Sequence, residues 1–162
     1  MLTIIVAMDD QQLIGREGGL PWQIPEDLKF FKETTLHHSL LVGHQTLKGL
    51  PRLNDRKIYG VSRHPIASYQ QKDVCWVVDP LAFMEAKKEL DEEIFVAGGA
   101  NLYAQALPFV DRLLISRIHG IYEGDTYFPK FNEDEYELVE KTPLSSKVTV
   151  YDYRRKVRYA HR

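Results

Sequence analysis

The sequence predicts an α/β fold with three layers, in which helices cover both faces of a central, mostly parallel sheet. Short apolar runs alternate with helical patterns through most of the chain, which is typical of parallel strands joined by helices. Towards the C-terminus only longer strand patterns remain, and these predict an antiparallel edge of the sheet. No repeat or linker divides the 162 residues, so we expect one domain that spans residues 1–162.

Eight strands are predicted from runs that are rich in apolar and β-branched residues. The first run, which begins at Leu2, has the continuous apolar character of a strand that is buried on both faces. The last three runs alternate between apolar and polar residues, as strands do when one face meets water. The predicted strands cover residues 2–8, 40–43, 57–62, 74–78, 94–97, 112–119, 136–141 and 148–157.

About four helices are predicted between these strands. The first has the clearest start signal, because Pro25 suits the first helical turn and the acidic Glu26 and Asp27 complement the positive end of the helix dipole. The predicted helices cover residues 25–35, 45–50, 80–90 and 101–107.

A long loop is predicted at residues 9–22, where Gly15, Gly18, Gly19 and Pro21 interrupt any regular pattern. Loops of this length in compact domains are usually functional or disordered. Two interpretations therefore stay open, a lid over a ligand cleft and a disordered surface loop.

The composition excludes several classes of function. A formal net charge of -2 argues against a surface that binds nucleic acid. The single cysteine, Cys75, rules out an internal disulfide and is expected to pack in the core. His37 and His38 are adjacent, so their side chains do not share a helix face, and no metal site is expected. Without a signal peptide, a membrane-spanning stretch or a large apolar patch, we expect a cytoplasmic monomer that contacts no membrane.

Three predicted strands end in small or polar residues just before a helix or turn. The carboxyl ends of parallel strands share one edge of an open α/β sheet, and the crevice beyond them is the usual ligand site. Glycines allow the backbone to approach a ligand, helix N-termini suit phosphate, and basic side chains there predict a ligand with several phosphates, one of them on a ribose. The three ends are Gly43-His44-Gln45-Thr46, Ser62-Arg63-His64 and Gly98-Gly99-Ala100-Asn101.

Asp27 is the candidate residue for the chemistry. Its simplest interpretation is an acid in the first helical turn, stabilised by the helix dipole. However, Leu28 and Phe31 lie close to it on one face of the predicted helix. A carboxyl group partly buried beside them would have a raised pKa and would need hydrogen-bond donors. A flat heterocycle with an amino group beside a ring N–H would supply two donors at once.

Short motifs follow one another in a specific order and spacing: Ile14-Gly15, Leu20-Pro21-Trp22, Pro25-Glu26-Asp27-Leu28, Phe31-Lys32, Gly43 with Thr46, Arg56-Lys57, Gly98-Gly99 with Tyr103, and Glu123-Gly124-Asp125-Thr126 with Phe128-Pro129. In this pattern the chain resembles the bacterial chromosomal-type dihydrofolate reductases, from Leu2 to about Arg155. The resemblance implies an enzyme that reduces 7,8-dihydrofolate to 5,6,7,8-tetrahydrofolate with NADPH for one-carbon metabolism. A hydride would go to C6 of the substrate and a proton to N5.

The resemblance also implies roles for residues at the substrate. Asp27 would hold the amino group and ring nitrogen of the pterin, and Ser116 would hydrogen-bond Asp27. Trp22 would position a water, and Arg56 would pair with the α-carboxylate of the glutamate tail. Asp27 is expected to raise the proton affinity of the ring, with water as the proton carrier. The implied substrate-binding residues are Ile5, Ala7, Asp27, Leu28, Phe31, Lys32, Leu50, Leu53, Arg56, Ala97 and Ser116.

For NADPH, the resemblance implies that Thr46 and residues 99–102 hold the pyrophosphate, and that residues 62–64 hold the phosphate on the adenosine ribose. The Gly98-Gly99 peptide is expected to be cis. The implied cofactor-binding residues are Ala7, Ile14, Gly15, Leu20, Gly43, His44, Gln45, Thr46, Ser62, Arg63, His64, Gly98, Gly99, Ala100, Asn101, Leu102, Tyr103 and Thr126.

Two departures from the family pattern concern the edges of the site. His44 stands where many members carry arginine, so the clamp on the cofactor phosphate is expected to be weaker or pH-dependent. Residues 49–53 are one residue shorter than a common form of the family, which affects the placement of Leu50 and Leu53 in the pocket. Asp125 is expected to hydrogen-bond the backbone of the 9–20 loop in its closed form.

Antifolate inhibitors are further expected ligands. One alternative is a reductase of related fold that acts on a ribosylated pyrimidine in flavin synthesis. Another is a non-catalytic module that senses NADPH. Neither needs Asp27 beside Phe31, so the folate interpretation is favoured.

Overall fold

The computed structural model describes residues 1–64 and 74–156. Within them, the eight predicted strands and four predicted helices are present in the predicted order, together with two short strands that the sequence does not predict. The strands are β1 (Leu2–Met8), β2 (Leu13–Gly15), β3 (Ser39–Gly43), β4 (Lys57–Val61), β5 (Cys75–Val77), β6 (Ile94–Val96), β7 (Arg112–Ile118), β8 (Thr126–Tyr127), β9 (Tyr136–Pro143) and β10 (Val148–Arg155). The helices are α1 (Pro25–Thr35), α2 (His44–Gly49), α3 (Pro80–Lys87) and α4 (Ala100–Ala106), with a 3-10 turn at Glu133–Glu135.

Eight of the strands form one sheet in the order β5-β4-β3-β6-β1-β7-β10-β9. The neighbours from β5 to β7 are all parallel, whereas β10 runs antiparallel to both β7 and β9. The prediction of a mostly parallel eight-stranded sheet with an antiparallel C-terminal edge is confirmed. This order brings the carboxyl ends of β1, β3, β4 and β6 to one edge, where the sequence predicts a ligand.

Two apolar cores lie on opposite faces of the sheet and give the three layers. On one face, Met84 of α3 and Leu102 of α4 pack with Ile4 of β1. On the other face, Phe30 of α1 and Leu47 of α2 pack with Ile5 of the same strand. Because neighbouring residues of a strand point to opposite faces, one apolar run serves both cores.

Helix α1 has the bounds that its start signal predicts. Pro25 occupies the first turn, where its missing N–H costs no hydrogen bond, and Glu26 and Asp27 follow it there. The helix carries no side-chain cap, so the two acids and Pro25 are the local features that favour its start at this point. Asp27 is thereby fixed at the N-terminal end of α1.

Several predictions of detail are wrong. The 9–22 segment is not wholly a loop, because β2 lies inside it and pairs with β8, more than a hundred residues away. Helix α3 ends at Lys87 rather than Leu90, in front of a run of exposed charged residues. Strand β9 is exposed at every residue except Tyr136, because it is the edge strand and extends beyond the core. The predicted end of the last strand, Val157, lies outside the described residues.

Cys75 is a further correction, because it is exposed rather than packed in the core. It begins β5, a three-residue strand at the other edge of the sheet, which has a neighbour on one side only among the described strands. Among the described residues, no helix is long and apolar enough to cross a membrane.

Candidate active site

Asp27 is withdrawn from water at the end of α1, with 9% of the residue exposed. Burial raises the pKa of its carboxyl group, a hydrogen bond with the Ser116 hydroxyl lowers the pKa, and the nearby Glu26 raises it; the net change is upward. The predicted burial, raised pKa and Ser116 contact of this acid are therefore present. A carboxyl group in this state accepts a proton more readily than one in water, and it has room for further hydrogen-bond donors.

Trp22 is connected to Asp27 by contacts that run across the neighbouring strands β1 and β7. Its ring belongs to a small cluster with Ile24 and Ile118, against which Ala7 packs. Ala7 is in turn the register partner of Ser116, the residue that contacts Asp27. The Trp22 side chain is buried, and its indole Nε1–H has no hydrogen-bond partner among the described residues. A buried donor without a partner is costly, so this atom fits the predicted role of binding a water.

The apolar side of the site is largely one cluster. Ile5 and Leu53 are buried in it, and Phe31, Leu50 and Ala97 pack against it. Although the 49–53 segment is shorter than in a common form of the family, Leu50 and Leu53 still join the apolar cluster that contains Ile5. Leu28 differs from these residues, because 42% of it is exposed. An apolar side chain left open at the mouth of a cleft can cover a flat ligand.

Arg56 is held by the protein before any ligand is considered. Its Nε donates to Thr35 Oγ1 at 2.9 Å, and its two terminal nitrogens donate to the carbonyls of Asn54 and Lys32. Partial burial lowers the pKa of Arg56, whose ordinary value lies so far above neutrality that the guanidinium stays charged. Arg56 also lines a groove of about 440 Å³ together with Arg52, Lys57 and Asp55. A fixed cation at such a groove suits a carboxylate ligand.

Glycines bring the backbones of two strand ends together. The Gly98-Gly99 peptide is cis, as predicted, and Gly43 N donates to Gly98 O at 2.8 Å. A Cβ on Gly99 would come within 3.2 Å of Thr46 Oγ1, and one on Gly98, whose φ is +114°, within 3.4 Å of the Tyr103 hydroxyl. Side chains are thus disfavoured here. The Thr46 hydroxyl therefore lies next to the half-buried turn that starts α4 at Ala100.

The third strand end, after β4, has a tighter local structure. Ser62 is buried, its Oγ donates to His64 O at 2.8 Å, and it accepts from His64 N at 3.2 Å. Arg63 and His64 are exposed, and His44 Nδ1 lies 3.3 Å from Val61 O at the end of the same strand. Arg63, His64 and His44 therefore lie together at the end of β4, where they could bind an anionic ligand. Residues 65–73, which follow this strand end, lie outside the described residues.

The rim of the site is formed by the 9–22 segment and residues 119–126. Asp125 Oδ2 accepts from Glu17 N at 3.0 Å, and this bond lowers the pKa of Asp125. Asp125 N also donates to Gly15 O at 3.0 Å, so the predicted contact between Asp125 and the loop backbone is present. A Cβ on Gly124 would come within 2.4 Å of Gly15 O, which requires glycine at this crossing.

Sequence reasoning missed two residues at this rim. Asp9 is almost fully buried and accepts hydrogen bonds from three backbone N–H groups, and Tyr122 lies with its ring edge towards Trp22. The available signal for Asp9 was a pair of acids, with Asp10, directly after a buried strand, where such side chains form turns. Tyr122 had no local signal, because its contact is made across the fold.

The chain is similar to proteins of one known family over almost its whole length. The sequence profile of the family described as dihydrofolate reductase matches residues 1–159. The chain belongs to the dihydrofolate reductase family. It is 37% identical to the dihydrofolate reductase of Bacillus subtilis (strain 168) over 161 residues, which cover 94% of both chains. It is 34% identical to that of Neisseria meningitidis serogroup A over 166 residues, with 98% of both chains covered.

A solved structure of the same family agrees. The dihydrofolate reductase from Enterococcus faecalis, complexed with NADP(H) and RAB-propyl, is 31% identical and has a TM-score of 0.84, with 97% of each chain covered. The predicted family, fold class and enzyme activity, which is dihydrofolate reduction, are confirmed. Among the described residues, no three potential ligands gather in a way that could hold a metal ion.

Proposed function

We propose that this dihydrofolate reductase works through Asp27 as the buried acid that holds and activates the pterin ring of 7,8-dihydrofolate, with NADPH as the reductant. Membership of the family supports the overall reaction, the formation of 5,6,7,8-tetrahydrofolate for one-carbon metabolism. The single observation that carries the role of Asp27 is its burial with a raised pKa and one serine hydroxyl as its side-chain partner. A buried acid with a raised pKa is typical of a functional group.

Asp27 binds the substrate by accepting two hydrogen bonds, from the amino group and the ring nitrogen of the pterin. Ser116 orients the carboxyl group. Phe31 and Leu50 contact the apolar parts of the substrate, and Arg56 pairs with its α-carboxylate. The other residues proposed to contact dihydrofolate are Ile5, Ala7, Leu28, Lys32, Leu53 and Ala97.

The residues present fit NADPH. The glycines Gly43, Gly98 and Gly99 carry no side chains beside Thr46, so a ligand can approach the backbone there, which suits a pyrophosphate. The exposed Arg63 and His64 suit the phosphate on the adenosine ribose. The remaining residues proposed to contact the cofactor are Ala7, Ile14, Gly15, Leu20, His44, Gln45, Ser62, Ala100, Asn101, Leu102, Tyr103 and Thr126.

The bound cofactor supplies the hydride that is transferred to C6 of the substrate. The protein supplies alignment and makes the ring easier to protonate, and the proton comes from solvent water. Buried Asp27 raises the proton affinity of the ring that it hydrogen-bonds, and Trp22 Nε1 holds a water through which the proton reaches N5. The 9–22 segment, held by Asp125, shields this site from bulk water.

The test is the consumption of NADPH absorbance on addition of dihydrofolate, with wild-type protein and with Asp27→Asn at several pH values. We expect activity from the wild type and loss of it at neutral pH in the variant. A parallel assay with a ribosylated pyrimidine substrate tests the related reductase, and NADPH binding without turnover would indicate a sensing module. An Asp27→Asn variant with unchanged rate and pH profile would refute the role of Asp27.

We further propose a single cytoplasmic domain that acts as a monomer and is inhibited by antifolates that compete for Asp27. The proposed substrate and reductant are small cytoplasmic metabolites, which supports this location. The exposed apolar side chains of the described residues belong to several different elements of the fold. Analytical ultracentrifugation tests the monomer, a single cooperative unfolding transition tests the single domain, and inhibition that weakens in Asp27→Asn tests the antifolate site.

A further inference from the structure

Asp9, the first residue after β1, is a buried acid to which the reaction described above assigns no role. Only 1% of the residue is exposed. Its Oδ1 accepts hydrogen bonds from Gln11 N at 2.8 Å and Leu13 N at 2.9 Å, and its Oδ2 accepts one from Tyr122 N at 2.8 Å. All three donors are backbone groups, so the side chain defines the path of the chain on both sides of it.

The two oxygens of Asp9 join the two segments that form the rim of the active site. Oδ1 shapes the turn that opens the 9–22 segment, where Gln12 has a φ of +67°. Oδ2 reaches residues 119–126, which also carry Asp125. A carboxylate suits this position because it offers acceptors on both oxygens, whereas an amide would direct a donor N–H at one of the backbone N–H groups.

The segment held by Asp9 continues directly to Trp22. The ring of Tyr122 meets the Trp22 ring edge to face, with centroids 5.4 Å apart and planes at 71°. Trp22 is 6% exposed, and its Nε1 is a buried donor for which the described part of the chain provides no partner. The contacts therefore form an unbroken chain from the Asp9 carboxylate through the Tyr122 backbone and ring to the indole.

We propose that Asp9 is a positioning residue of the reductase, which fixes Tyr122 and thereby sets the orientation of the Trp22 indole that holds the proton-carrying water. This inference rests on the proposed function of Trp22. It predicts that Asp9 acts on the rate of the reduction more than on the binding of either ligand, because Asp9 contacts neither of the proposed ligand surfaces.

The test uses Asp9→Asn, which keeps the size of the side chain but disrupts its acceptor pattern. We expect the rate of NADPH oxidation in a single turnover to fall about 3- to 30-fold, the range for residues coupled to a site that they do not touch. The Kd of NADPH and the KM of dihydrofolate should stay near the wild-type values. Asp10→Asn is the matched control. Asp10 Oδ2 accepts a hydrogen bond from Gly120 N at 3.0 Å and so joins the same two segments, but Gly120 has no side chain that could contact Trp22. Its rate should change by no more than about twofold.

A spectroscopic readout separates positioning from general stability. The chain has two tryptophans, so Trp76→Phe assigns the Trp22 indole N–H signal in the NMR spectrum. That signal should shift in Asp9→Asn and stay in place in Asp10→Asn. A wild-type rate together with an unshifted signal in Asp9→Asn would overturn the inference.

Tyr122→Leu provides a second test if Asp9→Asn does not fold. It keeps the backbone N–H that binds Asp9 and removes the ring that contacts Trp22. We expect the same loss of rate and the same shift of the indole signal, and an unchanged rate and signal would refute the inference. Failure of the proposed function is recognised separately, because it would appear as a wild-type protein that does not reduce dihydrofolate.

Discussion

Asp27 and Arg112 are both ionisable side chains withdrawn from water, and the contrast between them separates functional from structural charge. Arg112 donates through Nε and Nη2 to the two oxygens of Asp152, each at 3.1 Å, and through Nη1 to Glu93 at 3.0 Å. Asp27 contacts the hydroxyl of Ser116, and its pKa is raised. The protein pairs the first charge with two carboxylates, whereas we propose that a ligand provides the further partners of the second.

The largest effect is expected at Asp27. Asp27→Asn keeps the shape of the side chain and removes the acid, so kcat/KM for dihydrofolate at neutral pH should fall about 10²- to 10⁴-fold, the range for acid–base groups. The measurement is a pH–rate profile of both proteins. A variant profile that keeps the wild-type titration would show that another group carries it.

The same substitution should stabilise the fold at neutral pH. The folded pKa of Asp27 lies above its ordinary value of 3.8, so the folded state binds the proton more tightly than the unfolded state does. The stability that this proton contributes is present below pH 3.8 and is lost as the pH rises through the raised pKa. Asp27→Asn should therefore have a higher Tm than the wild type at neutral pH, with a difference that shrinks on acidification. Equal Tm values at every pH would contradict the raised pKa.

Substitution of Arg112 should lower the stability of the fold and leave the catalytic rate unchanged, in contrast to Asp27→Asn. Arg112→Met leaves Glu93 and Asp152 without their shared cation, and the free energy of unfolding should fall by about 3 kcal/mol. Arg154→Met is the matched control, because Arg154 contacts the same Asp152 at 3.3 Å but its side chain is 45% exposed. The free energy of unfolding of Arg154→Met should fall by less than about 0.5 kcal/mol. Urea unfolding measures both, and kcat should be unchanged in each. A large loss of kcat in folded Arg112→Met would break the distinction between the two charges.

Arg56 has features of both Arg112 and Asp27, because it is hydrogen-bonded to protein groups and is also proposed to bind the substrate. Arg56→Lys replaces the planar fork by a point charge and should raise the KM of dihydrofolate about 10- to 100-fold, with kcat little changed. Arg52→Lys is a control in the same groove. Steady-state kinetics on dihydrofolate with and without its glutamate tail provide the measurement. If the variant loses affinity equally for both substrates, the effect does not come from the tail.

Asp125 should give the smallest effect, because it is a surface acid with partners in the neighbouring segment. Asp125→Asn weakens the bond from Glu17 N and should slow the single-turnover rate or product release about 2- to 10-fold. Stopped-flow kinetics with matched thermal melts test this expectation. Unchanged transient rates would leave Asp125 with a structural role at the rim.

The parts of the fold that were predicted correctly have local signals. Helix α1 begins at Pro25 and is followed by two acids, and the structure reproduces its bounds. Strands β2 and β8 were missed because they are three and two residues long and are defined by each other, through the pairing of Leu13 with Tyr127. Cys75 was misplaced because an apolar run gives no information about whether a strand lies at the centre or the edge of a sheet.

In the candidate site too, features with a local sequence signal could be predicted, and features that depend on distant contacts could not. The burial of Asp27 could be predicted, because Phe31 lies one turn away from it on the same helix. The roles of Asp9 and Tyr122 depend on a hydrogen bond between residues 113 positions apart, which no sequence window contains. Family resemblance supplied the glycine pair and Arg56, but the resemblance did not supply the protein partners that hold Arg56 in place.

The exposed thiol at the start of β5 makes the protein easy to observe. Cys75 is the only cysteine in the chain, so a maleimide dye reacts at one defined position without any engineering. Cys75 also lines the groove that contains Arg56. A dye attached there would report the arrival of the charged end of a ligand as a change in fluorescence.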